Sequence, residues 1–264
     1  FGSQRPLLTH GITEGYKVRD VAPNIPLLGN LGLVQAVQAS TDDIKRLIDI
    51  SGISALCIHL NPAMEVVQPE GDEDFRGGLN CLERLVKELP VPVVVKETGC
   101  GISTKVARIV KSIGITDIDV SGAGGTSWVA VETHRAVNHK KSLGEQFWDW
   151  GIPTAASVIQ CSNEDMTVCA TGGMRNGLMV AKAIALGASC GGLARVVLQA
   201  YDAGGQDGAK DFLERTIQEI RIAMLLTGSK TTAELQQQPL ILGDSLLKWI
   251  PQSASIRQRQ FSLG

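Results

Sequence analysis

The sequence predicts an α/β fold, a TIM (β/α)8 barrel, and two observations lead to this prediction. Short apolar runs alternate with amphipathic helical segments along the chain, which favours a parallel sheet covered by helices. Polar side chains or glycine turns follow the predicted strands, whereas plain connectors lead into them. Barrel enzymes carry their sites at the C-terminal ends of the strands. An open doubly wound sheet would instead concentrate its ligand groups at one switch point.

Seven apolar runs are predicted as strands, including a tail of a strand at the first two residues. A closed barrel needs eight strands, so we expect one strand and its flanking segment to be missing before Phe1. The chain is predicted to be a single domain over 1–264, with a helical appendix at about 230–264. The predicted strands are residues 1–2, 25–30, 55–59, 91–96, 115–120, 168–170 and a short run beginning at 189.

Helices are predicted where apolar residues recur with helical spacing. Thr41 and Ser103 are expected to be N-caps, and Pro153 is expected at the first turn of its helix. A polar linker is predicted over 138–146. The predicted helices are residues 12–22, 33–38, 42–51, 79–88, 103–112, 153–159, 178–186 and 211–226.

Composition excludes several classes of function. The 264 residues include 25 Lys and Arg against 27 Asp and Glu, so no nucleic-acid or membrane-surface partner is expected. No apolar run is long enough to span a membrane, and no signal peptide is expected. The six cysteines form no CxxC pair, so neither a zinc site nor a thioredoxin-like site is indicated. This cysteine usage is typical of a reducing cytoplasm.

Two glycine-rich turns, over 171–177 and 189–195, lie one helix apart. Paired glycines at a strand end let backbone N–H groups approach an anion, and the following helix directs its positive end there. The same doubled arrangement forms the phosphate site after the last two strands of a TIM barrel. The alternative is that these glycines only make tight turns, and Arg175 favours the phosphate site.

Four further residues at strand ends are candidates for ligand binding. Lys96 ends an apolar strand, where it could meet a phosphate or an electron-rich flavin edge, or could reach the surface as an ordinary lysine. His59 could equally be a core histidine, but Asn61 follows it closely. Glu65 is a candidate Mg²⁺ ligand because hard oxygen donors suit that ion, although a solvated surface glutamate fits its spacing as well.

Taken in order, these motifs resemble the FMN-dependent type 2 isopentenyl diphosphate isomerases. The ordered set covers residue 1 to about residue 229, and it is specific although each motif alone is weak. The matching stretches are 2–5 (GSQR), 30–32 (NLG), 59–62 (HLNP), 68–72 (QPEGD), 95–97 (VKE), 121–128 (SGAGGTSW), 150–157 (WGIPTAAS) and 172–175 (GGMR).

The resemblance implies an FMN-binding TIM barrel that converts isopentenyl diphosphate to dimethylallyl diphosphate, with reduced FMN, Mg²⁺ and NAD(P)H as reductant. It also implies a role for each matching residue. FMN would be held by Ser3, Asn30, Lys96, Ser121, Thr126, Gly173, Met174, Arg175, Ala194 and Arg195. The diphosphate substrate would be held by Ser3, Gln4, Arg5, His59 and Asn61. Glu65 would bind Mg²⁺, and Glu132 would assist as acid or base alongside His59 and Asn61.

The chain departs from the family pattern at Met64, where relatives carry a glutamine near the reacting end of the substrate. Methionine cannot donate a hydrogen bond, so Gln68, one turn further on, is the hypothetical substitute. Arg195 stands where relatives commonly carry an apolar residue, and it could reach the FMN phosphate or be structural. The family's N-terminal substrate and flavin contacts are absent from the chain.

Two alternatives to the isomerase remain at this point. The first is an FMN oxidoreductase on the same barrel, but its histidine–arginine pair has no counterpart in residues 121–128. The second is a non-catalytic flavin-binding relative, which Met64 keeps open. The resemblance also implies a homo-oligomer, either a tetramer or an octamer.

Overall fold

The computed structural model describes residues 1–250, in which strands and helices alternate. The strand order in the sheet is the chain order. None of the helices in this described part combines the length and apolar character that a membrane crossing requires. The strands are β1 (Leu28–Gly32), β2 (Ala55–His59), β3 (Val93–Lys96), β4 (Asp117–Asp119), β5 (Thr167–Ala170) and β6 (Cys190–Gly191).

Helices connect the strands, as the predicted α/β class requires. The helices before β4 are α1 (Arg5–His10), α2 (Leu33–Gln38), α3 (Thr41–Ser51), α4 (Pro62–Val67), α5 (Gly78–Glu88) and α6 (Thr104–Ser112). Those after β4 are α7 (Trp128–Arg135), α8 (Asn138–Gln146), α9 (Thr154–Ser162), α10 (Gly177–Ala185), α11 (Arg195–Leu226), α12 (Thr232–Leu235) and α13 (Asp244–Leu247).

The chain divides into two compact units. The first unit contains residues 1–98, 108–118 and 128–148, and the second contains 99–107, 119–127 and the chain from 149 onwards. The prediction of one domain over 1–264 is not tested by this division, and the end of the predicted appendix, 251–264, lies outside the described residues.

In the first unit, β1, β2 and β3 pair in parallel. Leu31, Ile58 and Val95 are fully buried on one face of these strands. Because successive side chains in a strand point to opposite faces, His59 and Lys96 lie on the other face. The apolar alternation therefore holds the polar strand-end residues away from the core that packs the sheet.

In the second unit, β5 and β6 pair in parallel. Beside them a core forms from Val180, Ile184 and Leu235, with Ile220 of α11 packed against it. The helical path of α11 is broken at Gly204 and Gly205, whose backbone angles are not helical. The predicted late helix over 211–226 is therefore the second part of a longer element.

The N-cap of α3 is Ser40, whose Oγ accepts from Asp43 N at 3.1 Å, and not Thr41 as predicted.

Three predicted elements are also wrong in detail. Residues 12–22 form turns rather than a helix. The Arg19 guanidinium holds these turns through Ala22 O at 3.1 Å, and it ties them to the rest of the unit through Gly52 O at 2.6 and 3.0 Å and Ile25 O at 2.8 Å. Residues 1–2 are not a strand, although the Phe1 backbone nitrogen bonds Leu28 O at 2.9 Å.

The third error is the polar linker over 138–146, which is helix α8. Its side chains are polar on most sides, so no apolar stripe marks it. The helix packs against α7 and α4 of the same unit, and Gly144 permits the close approach: a Cβ there would lie 2.0 Å from Thr133 Oγ1. Tertiary packing therefore stabilises a helix that periodicity does not reveal.

Candidate active site

Three candidate side chains lie together at the C-terminal ends of β1, β2 and β3. His59 is the register partner of Lys96 on the neighbouring strand. His59 Nδ1 lies 2.9 Å from Asn30 Oδ1, and Lys96 Nζ donates to Glu97 O at 3.0 Å. The parallel strands thus bring together Asn30, His59 and Lys96, as predicted from their positions at strand exits.

Burial controls the charge of His59. Desolvation by burial, and after it the charge of the neighbouring Lys96 ammonium, lower the pKa of His59 to about 4. The imidazole is therefore neutral at pH 7. Because Asn30 Oδ1 can only accept, Nδ1 donates to it, and Nε2 is left as an acceptor.

Asn61 holds Glu65 in place one turn along α4. Asn61 has a left-handed backbone conformation, with φ of 52°, which asparagine tolerates better than most residues. Its Nδ2 donates to Glu65 Oε1 at 3.3 Å, and its Oδ1 accepts a short hydrogen bond from Thr98 Oγ1. The second carboxylate oxygen, Glu65 Oε2, accepts from the backbone N–H of Asp72 at 3.0 Å.

Contacts made by Gly71, Gln35 and Lys140 hold the loop that follows α4 close to Glu65. Gly71 passes so close that a Cβ there would lie 1.8 Å from Glu65 O. Gln35 Nε2 donates to Asp72 Oδ2 at 2.9 Å. Lys140 Nζ donates to Gln68 O at 2.8 Å and lies 3.3 Å from Glu73 Oε1. The loop is held rigidly where Asp72 contacts Glu65.

Gln68 follows the last residue of α4 and donates its backbone N–H to Met64 O at 2.9 Å. The prediction that Gln68 lies one turn beyond Met64 is consistent with this geometry. Met64 Sδ itself lies 3.5 Å from Asn61 Nδ2, so the thioether contacts the amide of a candidate substrate ligand.

The segment before α1 contributes Gln4, whose side chain is fully buried. Its Oε1 accepts from Asn30 N at 3.0 Å and its backbone N–H donates to Asn30 O at 2.7 Å. Among the described residues, Gln4 Nε2 has no hydrogen-bond partner although it is buried. A buried donor of this kind fits an acceptor on a bound ligand. Ser3 and Arg5, on either side, are exposed.

Glu132 lies on α7, and its side chain is 5% exposed. Arg135 NH1 donates to both of its carboxylate oxygens, at 2.8 and 3.0 Å. The chemistry available to Glu132 is therefore that of a carboxylate held in an ion pair.

In the second unit, the loops after β4 and β5 pack backbone against backbone. A Cβ on Gly172 would lie 2.2 Å from Gly122 O, and one on Gly173 would lie 2.2 Å from Gly124 O. Both Gly172 and Gly173 have positive φ, 98° and 87°. These glycines are required by the contact between the two loops, in addition to the tight turn expected from the sequence.

Asp119 joins the exits of β4 and β5. Its Oδ1 accepts from Ser121 N at 3.2 Å and takes a short hydrogen bond from Thr171 Oγ1. Ser121 has a positive φ of 33°, so this turn is strained where a candidate FMN ligand lies. Thr126, further along the same loop, is exposed.

The two helices after the glycine loops differ at their N-termini. At α10, Asn176 accepts from Met179 N at 2.9 Å and Glu219 Oε2 accepts from Gly177 N at 2.6 Å. At α11, the N-cap residue is Ala194, which makes no side-chain cap, and Arg195 is the first helical residue. The expectation that α10 directs its positive end at an anion is wrong, because protein groups occupy that end.

Arg175 is exposed, and its guanidinium donates to Gly124 O at 3.2 Å. It therefore lies against the loop that carries Ser121 and Thr126, next to Gly173 and Met174. The second unit brings these four candidate FMN residues and Arg175 into two contacting loops, with Ala194 and Arg195 at the start of α11.

Comparison with known proteins gives a family for the chain. The model of the FMN-dependent dehydrogenase family matches residues 63–242. The isopentenyl-diphosphate delta-isomerase of Thermococcus onnurineus (strain NA1) is 43% identical over 259 residues, covering 95% of this chain and 69% of the relative. That of Halobacterium salinarum (strain ATCC 700922 / JCM 11081 / NRC-1) is 42% identical over 265 residues, covering 96% and 72%.

The chain belongs to the isopentenyl-diphosphate delta-isomerase family. The family predicted from the ordered motifs is therefore confirmed, and with it the FMN-dependent class. The chain spans about two thirds of the length of these relatives.

Solved structures confirm the predicted fold of this isomerase-family chain. A mandelate oxidase variant with a monooxide FMN adduct has a TM-score of 0.60 and 22% identity, covering 84% of this chain and 65% of its own. A lactate oxidase of Pediococcus acidilactici has a TM-score of 0.62 and 18% identity, covering 87% and 65%. The fold is the FMN-binding type of TIM barrel, and each unit contributes parallel strands and intervening helices to it.

Sequence reasoning missed several residues around the candidate site, among them Thr98, Asp119, Lys140 and Glu219. Thr98 lies just beyond β3, so the rule that polar residues follow strands could have included it. Asp119 and Glu219 bind loop and helix backbone, and nothing in the local sequence of either signals that role. Lys140 lies on a helix that periodicity misses, 72 residues from the Gln68 carbonyl it contacts.

Proposed function

We propose that this chain isomerises isopentenyl diphosphate to dimethylallyl diphosphate by adding a proton at one carbon and removing one from another, using reduced FMN and Mg²⁺. The observation that carries the proposal is two hydrogen-bonded pairs after neighbouring strands, Asn30 with His59 and Asn61 with Glu65. They occur in a chain whose relatives are named isopentenyl-diphosphate delta-isomerases.

The diphosphate is held by donors of the first unit. A diphosphate carries several negative charges, so cations and N–H or O–H donors must surround it. Exposed Arg5 supplies the charge, and the buried Gln4 Nε2 supplies a donor that has no partner among the described residues. Further donors come from Ser3 and Asn61. His59 Nε2 is an acceptor, so it contacts the diphosphate through a protonated oxygen or a bound water.

Mg²⁺ binds at Glu65. In the part of the chain that the structure describes, no group of three or more His, Cys, Asp or Glu side chains converges as a metal cage. Mg²⁺ usually keeps several waters and is bound through one or two carboxylates together with substrate phosphates. A single carboxylate, oriented by Asn61 and the Asp72 N–H, fits that mode of binding.

Within each unit, the residues that the resemblance assigns to FMN carry groups suited to part of the flavin. When bound and reduced, the flavin supplies an electron-rich face and a proton at N5. Lys96 supplies positive charge, and Asn30 and Ser3 supply polar contacts. Positive charge for the FMN phosphate comes from Arg175 and Arg195. The N-terminus of α11, which has no side-chain cap, supplies N–H groups. Backbone and hydroxyl contacts come from Ser121, Thr126, Gly173, Met174 and Ala194.

The protein's own groups orient the substrate and exclude water. His59 is neutral and contributes an acceptor at Nε2, while Glu132 is an assisting carboxylate in an ion pair with Arg135. Gln68 supplies the amide that Met64 cannot. NAD(P)H would supply the electrons that keep the flavin reduced, and we infer that the enzyme is a cytoplasmic homo-oligomer, a tetramer or an octamer.

An anaerobic assay with FMN, Mg²⁺, NADPH and isopentenyl diphosphate tests this proposal, with product and NADPH both followed. Dimethylallyl diphosphate formed in large excess over NADPH consumed is the expected result, because the reaction has no net redox change. NADPH loss in proportion to any product would contradict isomerisation and indicate an oxidoreductase. Flavin binding with no reaction would indicate the non-catalytic alternative.

The role of Gln68 is tested by a pair of variants. Gln68→Ala should reduce turnover, and Met64→Gln in the Gln68→Ala background should restore it, because the amide returns one helical turn earlier. Unchanged turnover in Gln68→Ala would exclude this role for the side chain. Neither variant removes the Lys140 contact, because Lys140 binds the backbone carbonyl of Gln68 and not its side chain.

A further inference from the structure

Two cysteines lie side by side on the neighbouring strands of the second unit. Cys169 on β5 and Cys190 on β6 are register partners in a parallel pair. Register partners point to the same face of a sheet, and neighbouring strands lie about 4.8 Å apart. That separation lies within the range of Cα–Cα distances, about 4.4–6.8 Å, that a disulfide bridges.

The pair is accessible and chemically distinct from the other cysteines. Cys190 is exposed, and Cys169 is partly buried. The hydrogen bond from the Cys169 thiol lowers the pKa of Cys190 to about 7, against opposing effects of burial and of the Asp119 charge. By contrast, burial raises the pKa of Cys161 to about 12 and also raises that of Cys81.

We propose that Cys169 and Cys190 form a dithiol modification site, which a hydroperoxide converts reversibly into a disulfide joining β5 to β6. The Cys190 thiolate attacks one peroxide oxygen, so that an S–O bond forms, the O–O bond breaks and hydroxide leaves. Cys169 then attacks the resulting sulfenic sulfur through its thiolate, forming the S–S bond and releasing a second hydroxide. The two thiols lose two electrons and two protons, and hydrogen peroxide becomes two molecules of water.

The position of this site links it to the loops described above. β5 leads directly into Gly172 and Gly173, and β6 leads into Gly192 and the start of α11. A cysteine pair in a reducing compartment is more often a transient redox site than a permanent structural bridge. The site depends only on these two thiols and is independent of the isomerase activity proposed above.

The test treats the reduced full chain with hydrogen peroxide, blocks remaining thiols and maps the products by mass spectrometry. We expect the loss of two thiols per chain, the loss of two hydrogen atoms in mass, and full reversal by dithiothreitol. Trypsin leaves Cys161 and Cys169 on one peptide, because no lysine or arginine separates them. Mapping is therefore done in the Cys161→Ser background, where a cross-link between the tryptic peptides that carry Cys169 and Cys190 can join only those two cysteines.

Matched variants complete the experiment. Cys190→Ser should abolish the fast thiol loss, and Cys169→Ser should leave Cys190 as a sulfenic acid without an intramolecular disulfide. Cys81→Ser should behave as the unmodified chain. The rate of thiol loss should rise with pH with a midpoint near 7. Retention of both thiols, a disulfide to another cysteine, or direct oxidation to sulfinic acid would overturn the proposal.

Discussion

At the scale of single residues, the environment of His59 determines its charge and makes it a source of pH dependence. Its pKa is lowered by burial first and by the Lys96 charge second, to about 4, whereas an unfolded histidine titrates near 6.5. The unfolded chain therefore binds more protons between these values. Stability rises with pH across this window and is lost as the pH falls through it.

This shift predicts a stability difference between two histidine variants. Between pH 7 and pH 4.5, titration of His59 should cost about 2 kcal/mol of unfolding free energy. His59→Gln should lose correspondingly less stability over this interval than the unmodified chain, as measured by urea unfolding at both pH values. His139→Gln is the control, because His139 is exposed. Equal losses of unfolding free energy in all three proteins would show that folding does not lower the pKa of His59.

Gly173 combines a positive φ with a close backbone contact, so we expect a methyl group at this position to lower the stability of the fold. Gly173→Ala places a Cβ 2.2 Å from Gly124 O in a conformation unfavourable to L-residues, and we expect a loss of about 1–3 kcal/mol in stability. The same variant should bind FMN less tightly in a fluorescence titration. Gly204→Ala is the matched control, since nothing lies within 4 Å of its Cβ position. Equal stability of the two variants would show that the loop contact is absent.

At the scale of elements, the sequence predicts best where one face of an element is apolar. Strands β2 and β3 and helix α5 are found close to where alternation and amphipathic spacing place them. Helix α8 and the turns around Arg19 are missed, because contacts remote in sequence stabilise both. The strand-exit rule similarly locates Asn30, His59 and Lys96, yet cannot show that Glu219 covers the start of α10.

The loop after α4 gives a prediction at this scale. Lys140 ties that loop to α8 through Gln68 O, and the loop in turn positions Glu65 through Asp72 N. Lys140→Met should weaken Mg²⁺ binding by about 10-fold, which is typical for loss of a group behind a metal ligand. Direct titration with Mn²⁺ in the presence of a diphosphate, followed by electron paramagnetic resonance, measures this without turnover.

The neighbouring Lys141 supplies the control for that experiment. It lies on the same helix but is exposed, so Lys141→Met removes an equal charge and keeps the loop contact. If both variants weaken metal binding equally, the effect is the loss of positive charge on α8. If neither does, the loop is positioned without Lys140.

At the scale of the whole molecule, the family and the fold follow from the sequence, because many weak motifs occur in one order. Individual residue roles do not follow in the same way. Gln4 illustrates this: the resemblance implies a substrate ligand, and the structure shows a buried side chain that also holds the backbone of Asn30. Its Oε1 binds the protein backbone, whereas its Nε2 has no partner among the described residues, and no motif reveals this difference.

FMN binding should also stabilise the folded chain against unfolding. A ligand that binds only the folded state at 100 times its Kd raises the unfolding free energy by about 2.7 kcal/mol, so FMN should raise the thermal midpoint. Riboflavin lacks the phosphate, and it should stabilise less if Arg175 and the α11 N-terminus bind that group. Arg175→Gln should therefore reduce the shift with FMN and leave the shift with riboflavin unchanged. Lys182→Gln, which removes an exposed charge from α10, should alter neither shift. Equal stabilisation by FMN and riboflavin would contradict a phosphate site in these loops, because the shared ring system would then account for all of the binding energy.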